Sequence, residues 1–258
     1  KSVFSIDVAK NANFRFFERN LITPVTITEH PEVITHSWTL TDFAALSNEN
    51  FSPSIIDYTP VVRIAPSNIN LEGYRGNIET WKGFGQWIYQ LNEGRNNLTS
   101  ESKLKISKLT EGITDEKAKI KILYEYMQNK TRYVNIKIGI GGFQPIDAET
   151  VDRLSYGDCK ALSNYMVSLL ETIGIKARYT LIHAGEENPH IFEEFPSNQF
   201  NHAIVCVPLK TDTVWLECTS QQCPFNYMGT FTADRKALVI DENGGTLVQT
   251  PVLNVTVL

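Results

Sequence analysis

The chain has 258 residues, 42% of them hydrophobic, and a formal net charge of −5 at pH 7. This length suffices for one large domain or two smaller ones with a sizeable core. The acidic balance, without clusters of Lys and Arg, argues against binding to nucleic acid or to anionic membranes. No apolar run is long enough to span a membrane.

The first 70 residues have the pattern of β-strands. Segments rich in β-branched and aromatic residues predict strands at residues 21–28, 37–40, 55–58 and 61–65. Prolines separate these segments, as is typical of edge strands and turns. We therefore expect a β-rich region at the start of the chain.

Helical patterns follow. Aromatic and aliphatic residues recur at helical spacing from Trp81 to Leu91, and residues 92–94 end the run. We interpret the tryptophans in this segment as core packing rather than as a cofactor site. A polar cap and two acidic residues at Thr114–Glu116 predict the start of a second helix that ends near residues 129–131.

A glycine-rich loop precedes the third predicted helix. Residues 133–145 contain three glycines but lack the spacing of a phosphate-binding loop. Asp158 should cap a helix whose apolar stripe ends at Gly174. Strands are then expected at residues 177–183, 201–209, 214–219 and 236–241, with a polar loop at 184–200. Helices followed by an antiparallel sheet predict an α+β fold.

Cys159 is the strongest candidate for chemistry. It follows the predicted cap Asp158 and lies in the first helical turn, where the helix dipole favours thiolate over thiol. Lys160 adds a neighbouring positive charge. The apolar stripe begins only at Leu162, so packing does not require a cysteine at this position. The alternative is an inert cysteine at a helix start.

His202 and Glu217 are the candidate partners of this thiol. They fall on consecutive predicted strands, joined by a turn around Thr211–Asp212. A hairpin that pairs Cys206 with Glu217 would place both candidates on one face of the sheet. A register shift of one residue would separate them. Thiol, imidazole and carboxylate are the groups of a cysteine nucleophile, its proton shuttle and the acid that orients it.

The other cysteines, Cys206, Cys218 and Cys223, are interpreted as buried or half-buried thiols. A small disulfide or a redox role for Cys218 and Cys223 is the alternative. No second closely spaced Cys/His pair completes a zinc site, so we expect no metal and no organic cofactor. Residues 253–258 alternate like a strand, from which we expect the chain to be a piece of a longer protein.

Three motifs in this order resemble the transglutaminase-like superfamily, whose core is papain-like: Tyr156–Lys160 at a helix start, Asn201–Ala203, and Trp215–Glu217. The Gly139–Pro145 segment is similar to the corresponding segment of a subgroup that is common in Bacteroidetes. In this subgroup a β-rich domain of unknown function, DUF3857, precedes the transglutaminase-like domain. Residues 14–66 resemble the C-terminal part of that domain. The resemblance implies a DUF3857-like domain over residues 1–75 and a transglutaminase-like domain over residues 76–258.

The resemblance also implies roles for single residues. Cys159 would be the nucleophile, His202 the general base and acid, and Glu217 the orienting acid at a position where the family usually has aspartate. Gln144 resembles the residue that helps the backbone N–H of Cys159 form an oxyanion hole, a donor whose removal typically costs ~10²–10³ in rate.

The implied activity is acyl transfer from amide bonds through a thioester at Cys159. Hydrolysis of a peptide or protein substrate is expected before transglutaminase-type cross-linking, because bacterial relatives of this kind are thought to be proteolytic. The alternative is a non-catalytic binding or assembly module that keeps the fold. The resemblance further implies a periplasmic or secreted location.

Overall fold

The computed structural model describes residues 1–252 apart from residues 48, 51 and 186–190. The strand pattern predicted over residues 253–258 therefore lies outside the described residues. The chain divides into two compact units, residues 1–69 and residues 70–258. The assignment of the first unit to a DUF3857-like domain stays a prediction.

The first unit is rich in strands, as predicted. Its elements are β1 (Ser2–Ala9), β2 (Phe14–Arg19), β3 (Thr26–Glu29), β4 (Val33–Leu40), α1 (Ile55–Tyr58) and β5 (Val61–Pro66). Strands β1, β4 and β3 form one antiparallel sheet in that order, and β2 pairs with β5 in a second. Trp38 is the most buried of its aromatic side chains, and its indole N–H donates to Glu18 Oε1 at 2.6 Å.

Two predictions for this unit are wrong. Residues 55–58 form a helical turn rather than a strand, closed by a hydrogen bond from Thr59 N–H to Ile55 O at 3.1 Å. β-propensity reflects packing in a pleated sheet, and no strand of the described residues pairs with this exposed segment. The strand predicted at 21–28 begins only at Thr26, since Pro24 cannot donate a hydrogen bond to a neighbouring strand.

From residue 68 onward, the chain contains both helices and strands. The first elements are β6 (Asn68–Leu71), β7 (Tyr74–Asn77), α2 (Trp81–Asn92), α3 (Ser100–Leu109), α4 (Glu116–Lys130), β8 (Arg132–Tyr133), a 3₁₀ turn (Gly139–Gly142), α5 (Ala148–Leu154) and β9 (Tyr156–Gly157). The remaining elements are α6 (Cys159–Thr172), β10 (Arg178–Ile182), β11 (His202–Pro208), β12 (Thr213–Leu216), α7 (Gly229–Thr232), β13 (Lys236–Asp241) and β14 (Gly244–Gln249).

The centre of the second unit is an antiparallel sheet of five strands in the order β12-β11-β10-β13-β14. Helix α6 packs on the sheet face that carries Val205, Val207 and Leu216, and α4 completes this core. Ile204 and Trp215 lie in a smaller core on the other face, with Met228. Helices together with an antiparallel sheet confirm the predicted α+β class.

The three predicted helices correspond to α2, α4 and α6. The predicted cap Asp158 accepts a hydrogen bond from the first turn of α6, whereas α4 is capped by Asp115, one residue later than predicted. Helices α3 and α5 were not predicted. Ile106 is the one fully buried residue of α3, so this helix carries almost no apolar stripe. No helix of the described residues is both long and apolar enough to cross a membrane.

Helix α2 lies in very close contact with the hairpin of β13 and β14. A Cβ atom on Gly85 would come within 2.0 Å of the backbone nitrogen of Gly245. A Cβ atom on Gly245 would in turn come within 2.4 Å of the Trp81 carbonyl oxygen. Glycine at both positions is therefore what lets the helix and the hairpin approach so closely.

Candidate active site

Cys159 is the first residue of α6, directly after the cap Asp158. The Asp158 carboxylate accepts a hydrogen bond from Ala161 N–H at 3.0 Å through Oδ1, and its Oδ2 is paired with the ammonium of Lys160. All three side chains are buried: Cys159 is 5% exposed, Asp158 2% and Lys160 6%. A capped helix start thus holds the thiol next to a buried ion pair.

His202 and Glu217 are in direct contact. His202 Nε2 lies 2.8 Å from Glu217 Oε2, and both side chains are more than nine-tenths buried. The His202 ring also lies close enough to the Cys159 thiol to lower its pKa, and both side chains line the same cleft. Because Nε2 is directed at Glu217, Nδ1 is the ring nitrogen that remains for the thiol. The structure therefore brings the three predicted residues together at one site.

The structure corrects the predicted register of the hairpin. Cys206 pairs with Trp215 rather than with Glu217, so the true register is shifted by two residues. Strand β12 also ends at Leu216, and Glu217 lies just beyond it. A shift of two keeps every side chain on its face of the sheet. The contact between His202 and Glu217 survives for that reason and becomes shorter than predicted.

Neighbouring groups hold Glu217 in place. Its second carboxylate oxygen, Oε1, accepts hydrogen bonds from the backbone N–H of Thr219 at 3.0 Å and from Thr219 Oγ1 at 2.5 Å. The Tyr124 hydroxyl of α4 donates to the Glu217 carbonyl at 2.7 Å, and Gln128 Nε2 donates to the Ser220 carbonyl at 2.9 Å. The carboxylate that faces His202 is therefore fixed from both sides.

Helix α6 and strand β11 are tied together beside the site. Ser163 Oγ donates to the Ala203 carbonyl at 3.0 Å. Asn201 uses its side-chain amide to bind both the N–H and the carbonyl of Ala184, at 2.7 Å and 3.0 Å. The Ser163 bond fixes the helix that carries Cys159 against β11, and the Asn201 bonds fix the residue before His202 to the segment that follows β10.

The electrostatics of the site favour an ion pair. Burial alone would raise the pKa of Cys159, but the hydrogen bond and charge of His202, with the charge of Lys160, hold it below its ordinary value. Burial alone would lower the pKa of His202, but its hydrogen bonds to Cys159 and Glu217 raise it to about 9. Both shifts favour a thiolate and an imidazolium over the neutral thiol and imidazole.

A cleft of about 250 Å³ opens beside the thiol and the imidazole. Its apolar walls are Ile88, Phe143, Leu181 and Phe200. Its polar side chains are Lys137, Lys160, Asn198, Asn201 and His202. A small group of mixed apolar and polar character can thus reach Cys159 from solvent.

Gln144 lies next to this cleft rather than in its lining, as far as the described residues show. The side chain is 7% exposed, and its Nε2 donates to the Leu91 carbonyl at 3.0 Å. The structure thus anchors Gln144 to the end of α2, while its neighbour Phe143 faces the cleft. Its role in an oxyanion hole stays a prediction.

Two further residues near the site were missed in the sequence. Tyr133 pairs with Gly157 across the short parallel bridge of β8 and β9, and burial together with the negative charges of Cys159, Asp158 and Glu217 raises the pKa of its hydroxyl. Thr219 binds the Glu217 carboxylate. The sequence carried one signal for this contact: Thr219 lies two residues after Glu217, and residues i and i+2 of an extended chain point to the same side.

The remaining cysteines are not among the three residues that meet at this site. Cys206, Cys218 and Cys223 are free thiols, and burial raises the pKa of each, to about 11 for Cys206. Within the described residues, no cluster of three His, Cys, Asp or Glu side chains could hold a metal ion.

Two comparisons with known proteins found matches to this chain. Residues 105–220 match the family described as the transglutaminase-like superfamily, a span that includes Cys159, His202 and Glu217. No curated protein matches the chain. A solved structure from Parabacteroides distasonis, described as a "putative protease", aligns with a TM-score of 0.65 and 17% identity over 98% of this chain and 45% of that one.

A second solved structure, from Cytophaga hutchinsonii and described as a "putative cysteine protease", aligns with a TM-score of 0.39 and 13% identity over 84% of this chain and 71% of that one. The chain spans less than half the length of the Parabacteroides distasonis protein. At 17% identity, the likeness to that protein shows a shared fold.

Proposed function

Residues 105–220 belong to the transglutaminase-like superfamily, and from this premise we propose that the protein hydrolyses amide bonds of peptides through a thioester at Cys159. The observation that carries the proposal is the hydrogen bond between His202 and Glu217, with His202 and the Cys159 thiol beside each other in one cleft. A nucleophile, a base and an orienting acid in contact are the structural requirement of covalent acyl transfer.

In the first half of the reaction, the Cys159 thiolate attacks the amide carbonyl carbon. A C–S bond forms, and the carbonyl electrons move to the oxygen. The imidazolium of His202 then gives its proton to the departing nitrogen as the C–N bond breaks, which leaves a thioester and a free amine. The backbone N–H of Cys159 lies in the first turn of α6, where amide groups lack a partner within the helix, and we assign it the role of stabilising the oxyanion.

In the second half, water attacks the thioester carbonyl while the neutral His202 takes its proton. The C–S bond breaks, and the products are a carboxylic acid and the regenerated thiolate–imidazolium pair. Glu217 holds the imidazole in orientation and favours its charged form throughout. Water rather than an amine is proposed as the acceptor, and the description of the Parabacteroides distasonis protein as a "putative protease" supports this choice.

Reactivity at Cys159 tests the proposal directly. We expect alkylation of Cys159 by iodoacetamide, followed by peptide mapping, to show an apparent thiol pKa well below ~8.5, the value of a free cysteine. The His202→Ala variant should lose this depression because the imidazolium that stabilises the thiolate is gone. Hydrolysis of a mixed peptide substrate should fall about 10³-fold or more in Cys159→Ala.

Hydrolysis by the unmodified protein should also decline as pH rises through about 9, where His202 loses its proton. An ordinary pKa at Cys159, together with unchanged reactivity in His202→Ala, would contradict the enzymatic proposal. That result would favour a non-catalytic binding module with the same fold.

A further inference from the structure

We propose that the cleft selects acyl donors that carry a carboxylate near the scissile amide, and that Lys137 is the residue that recognises it. The inference rests on the proposed function, because it concerns the substrate of the same site. It follows from the charges that line the cleft, taken one by one.

Two lysines line the cleft, and they are not equivalent. The Lys160 ammonium is buried and paired with the Asp158 carboxylate, so its charge is balanced within the protein. Lys137 is exposed, and no carboxylate of the described residues lies within ion-pair distance of it. Lys137 is therefore the cation that remains for a ligand.

The negative groups of the site do not face the cleft as free charges. Asp158 is 2% exposed and bound to Lys160 and to Ala161 N–H. Glu217 is 7% exposed, with one oxygen on His202 and the other on Thr219. The lining itself contains no Asp or Glu among the described residues. An anionic group in the cleft would therefore meet Lys137 without a competing free carboxylate.

The dimensions place that group close to the reacting bond. The cleft of about 250 Å³ is below the range of about 300–1,000 Å³ that is typical of sites for drug-sized ligands. Cys159 and Lys137 line the same small space, so they face the same one or two residues of a bound peptide. The apolar walls accommodate a hydrocarbon portion beside the carboxylate. The chemistry points to a peptide with an acidic residue next to an apolar one.

Alkylation of Cys159 by two reagents that differ in charge provides the test. Iodoacetate is anionic and iodoacetamide is neutral, and in both the thiolate displaces iodide. We expect the ratio of the two rate constants, iodoacetate over iodoacetamide, to fall about threefold to fivefold in Lys137→Gln, the effect of one exposed charge. It should fall further in Lys137→Glu, and the difference should shrink at high salt.

Lys121→Gln is the matched control, since it removes the same charge from the exposed surface of α4, where Lys121 faces Glu125. A ratio that is equal in the unmodified protein, Lys137→Gln and Lys121→Gln would overturn the inference and leave the proposed function intact. A ratio that falls equally in both variants would also overturn it, because the effect would then be one of net charge.

Peptide binding separates this inference from the catalytic one. In the Cys159→Ala variant, fluorescently labelled Phe-Glu and Phe-Gln dipeptide amides can be compared without turnover. We expect the Glu peptide to bind about threefold to fivefold more tightly, and the preference to disappear when Lys137→Gln is added. Equal binding of the two peptides would contradict the role of Lys137. A clear preference with an unreactive Cys159 would support that role and contradict catalysis.

Discussion

Glu217 combines a long side chain with a position just past the end of β12. The additional methylene relative to aspartate lets its carboxylate span from His202 Nε2 on one side to Thr219 on the other. Burial alone would raise the pKa of Glu217, but these hydrogen bonds and the charge of His202 lower it. Glutamate at this position therefore forms the contact that the orienting acid requires.

Removal of the Glu217 charge should destabilise the protonated form of His202. In Glu217→Gln the geometry is kept, but the pKa of His202 should fall from about 9, because the negative charge that stabilises its protonated form is lost. The alkaline limb of the pH profile for peptide hydrolysis should move to lower pH, with a lower kcat/KM at pH 8. In the unmodified protein, the charged imidazole stabilises the fold at pH values below the unfolded pKa of ~6.5, and this stability is lost as pH rises through about 9. In Glu217→Gln the same loss should occur at lower pH.

Glu125→Gln on the exposed surface of α4 removes the same charge at a distance and should leave the alkaline limb in place. If Glu217→Gln also leaves the limb near pH 9, the charge of Glu217 does not set the protonation of His202.

At the scale of elements, the hairpin of β11 and β12 and the glycine contact of α2 decide whether the site is assembled. Alternation along two strands was enough to place His202 and Glu217 on one face, because a shift of the strand pairing by any even number of residues keeps both side chains on that face. It was not enough to give the register itself, which depends on where the turn closes. The bond from Leu209 N–H to Asp212 O at 2.8 Å fixes that point.

The contact between α2 and β14 should not tolerate a methyl group. Gly85→Ala should lower the free energy of unfolding by about 3 kcal/mol or more, since a Cβ atom 2.0 Å from the Gly245 nitrogen forces the backbones apart. The gain in helix propensity, about 1 kcal/mol, offsets only part of this cost. Urea unfolding followed by circular dichroism measures the change.

Gly141→Ala is the control, because a Cβ atom at that glycine meets no atom within 4 Å. Its free energy of unfolding should change by less than about 0.5 kcal/mol. Equal stability of Gly85→Ala and the unmodified protein would show that α2 can shift on the hairpin.

At the scale of the whole molecule, the class of fold and the three residues that meet at the site could be predicted from the sequence. The residues that surround them could not. Cys159 was identifiable because a cap and a helix start stand beside it in the chain. The place of Lys137 in the cleft depends on contacts between segments, which local patterns do not encode. Thr219 was missed although it lies only two residues after Glu217. Helix α3 was missed because a polar helix carries almost no apolar stripe, and residues 55–58 because β-propensity presumes a neighbouring strand.

The four cysteines should behave as one reactive thiol and three protected ones. In the native protein near neutral pH, alkylation should be fast at Cys159 and slow at Cys206, Cys218 and Cys223, whose pKa values are raised by burial. After denaturation without reductant, mass spectrometry should find four adducts, because all four are free thiols. Only two adducts would reveal a disulfide and favour a redox role for Cys218 and Cys223.

In the hairpin of β11 and β12, the residues of the candidate site and the turn lie at opposite ends. His202 and Glu217 lie at its open end, where α4 and α6 hold the chain, while the turn at residues 209–212 closes the opposite end. Residues inserted at the turn tip would extend away from His202 and Glu217. A single residue inserted within either strand would invert the faces between the insertion and the active end. The tip is therefore the natural place to fuse a peptide tag or reporter to this protein without disturbing the thiol site.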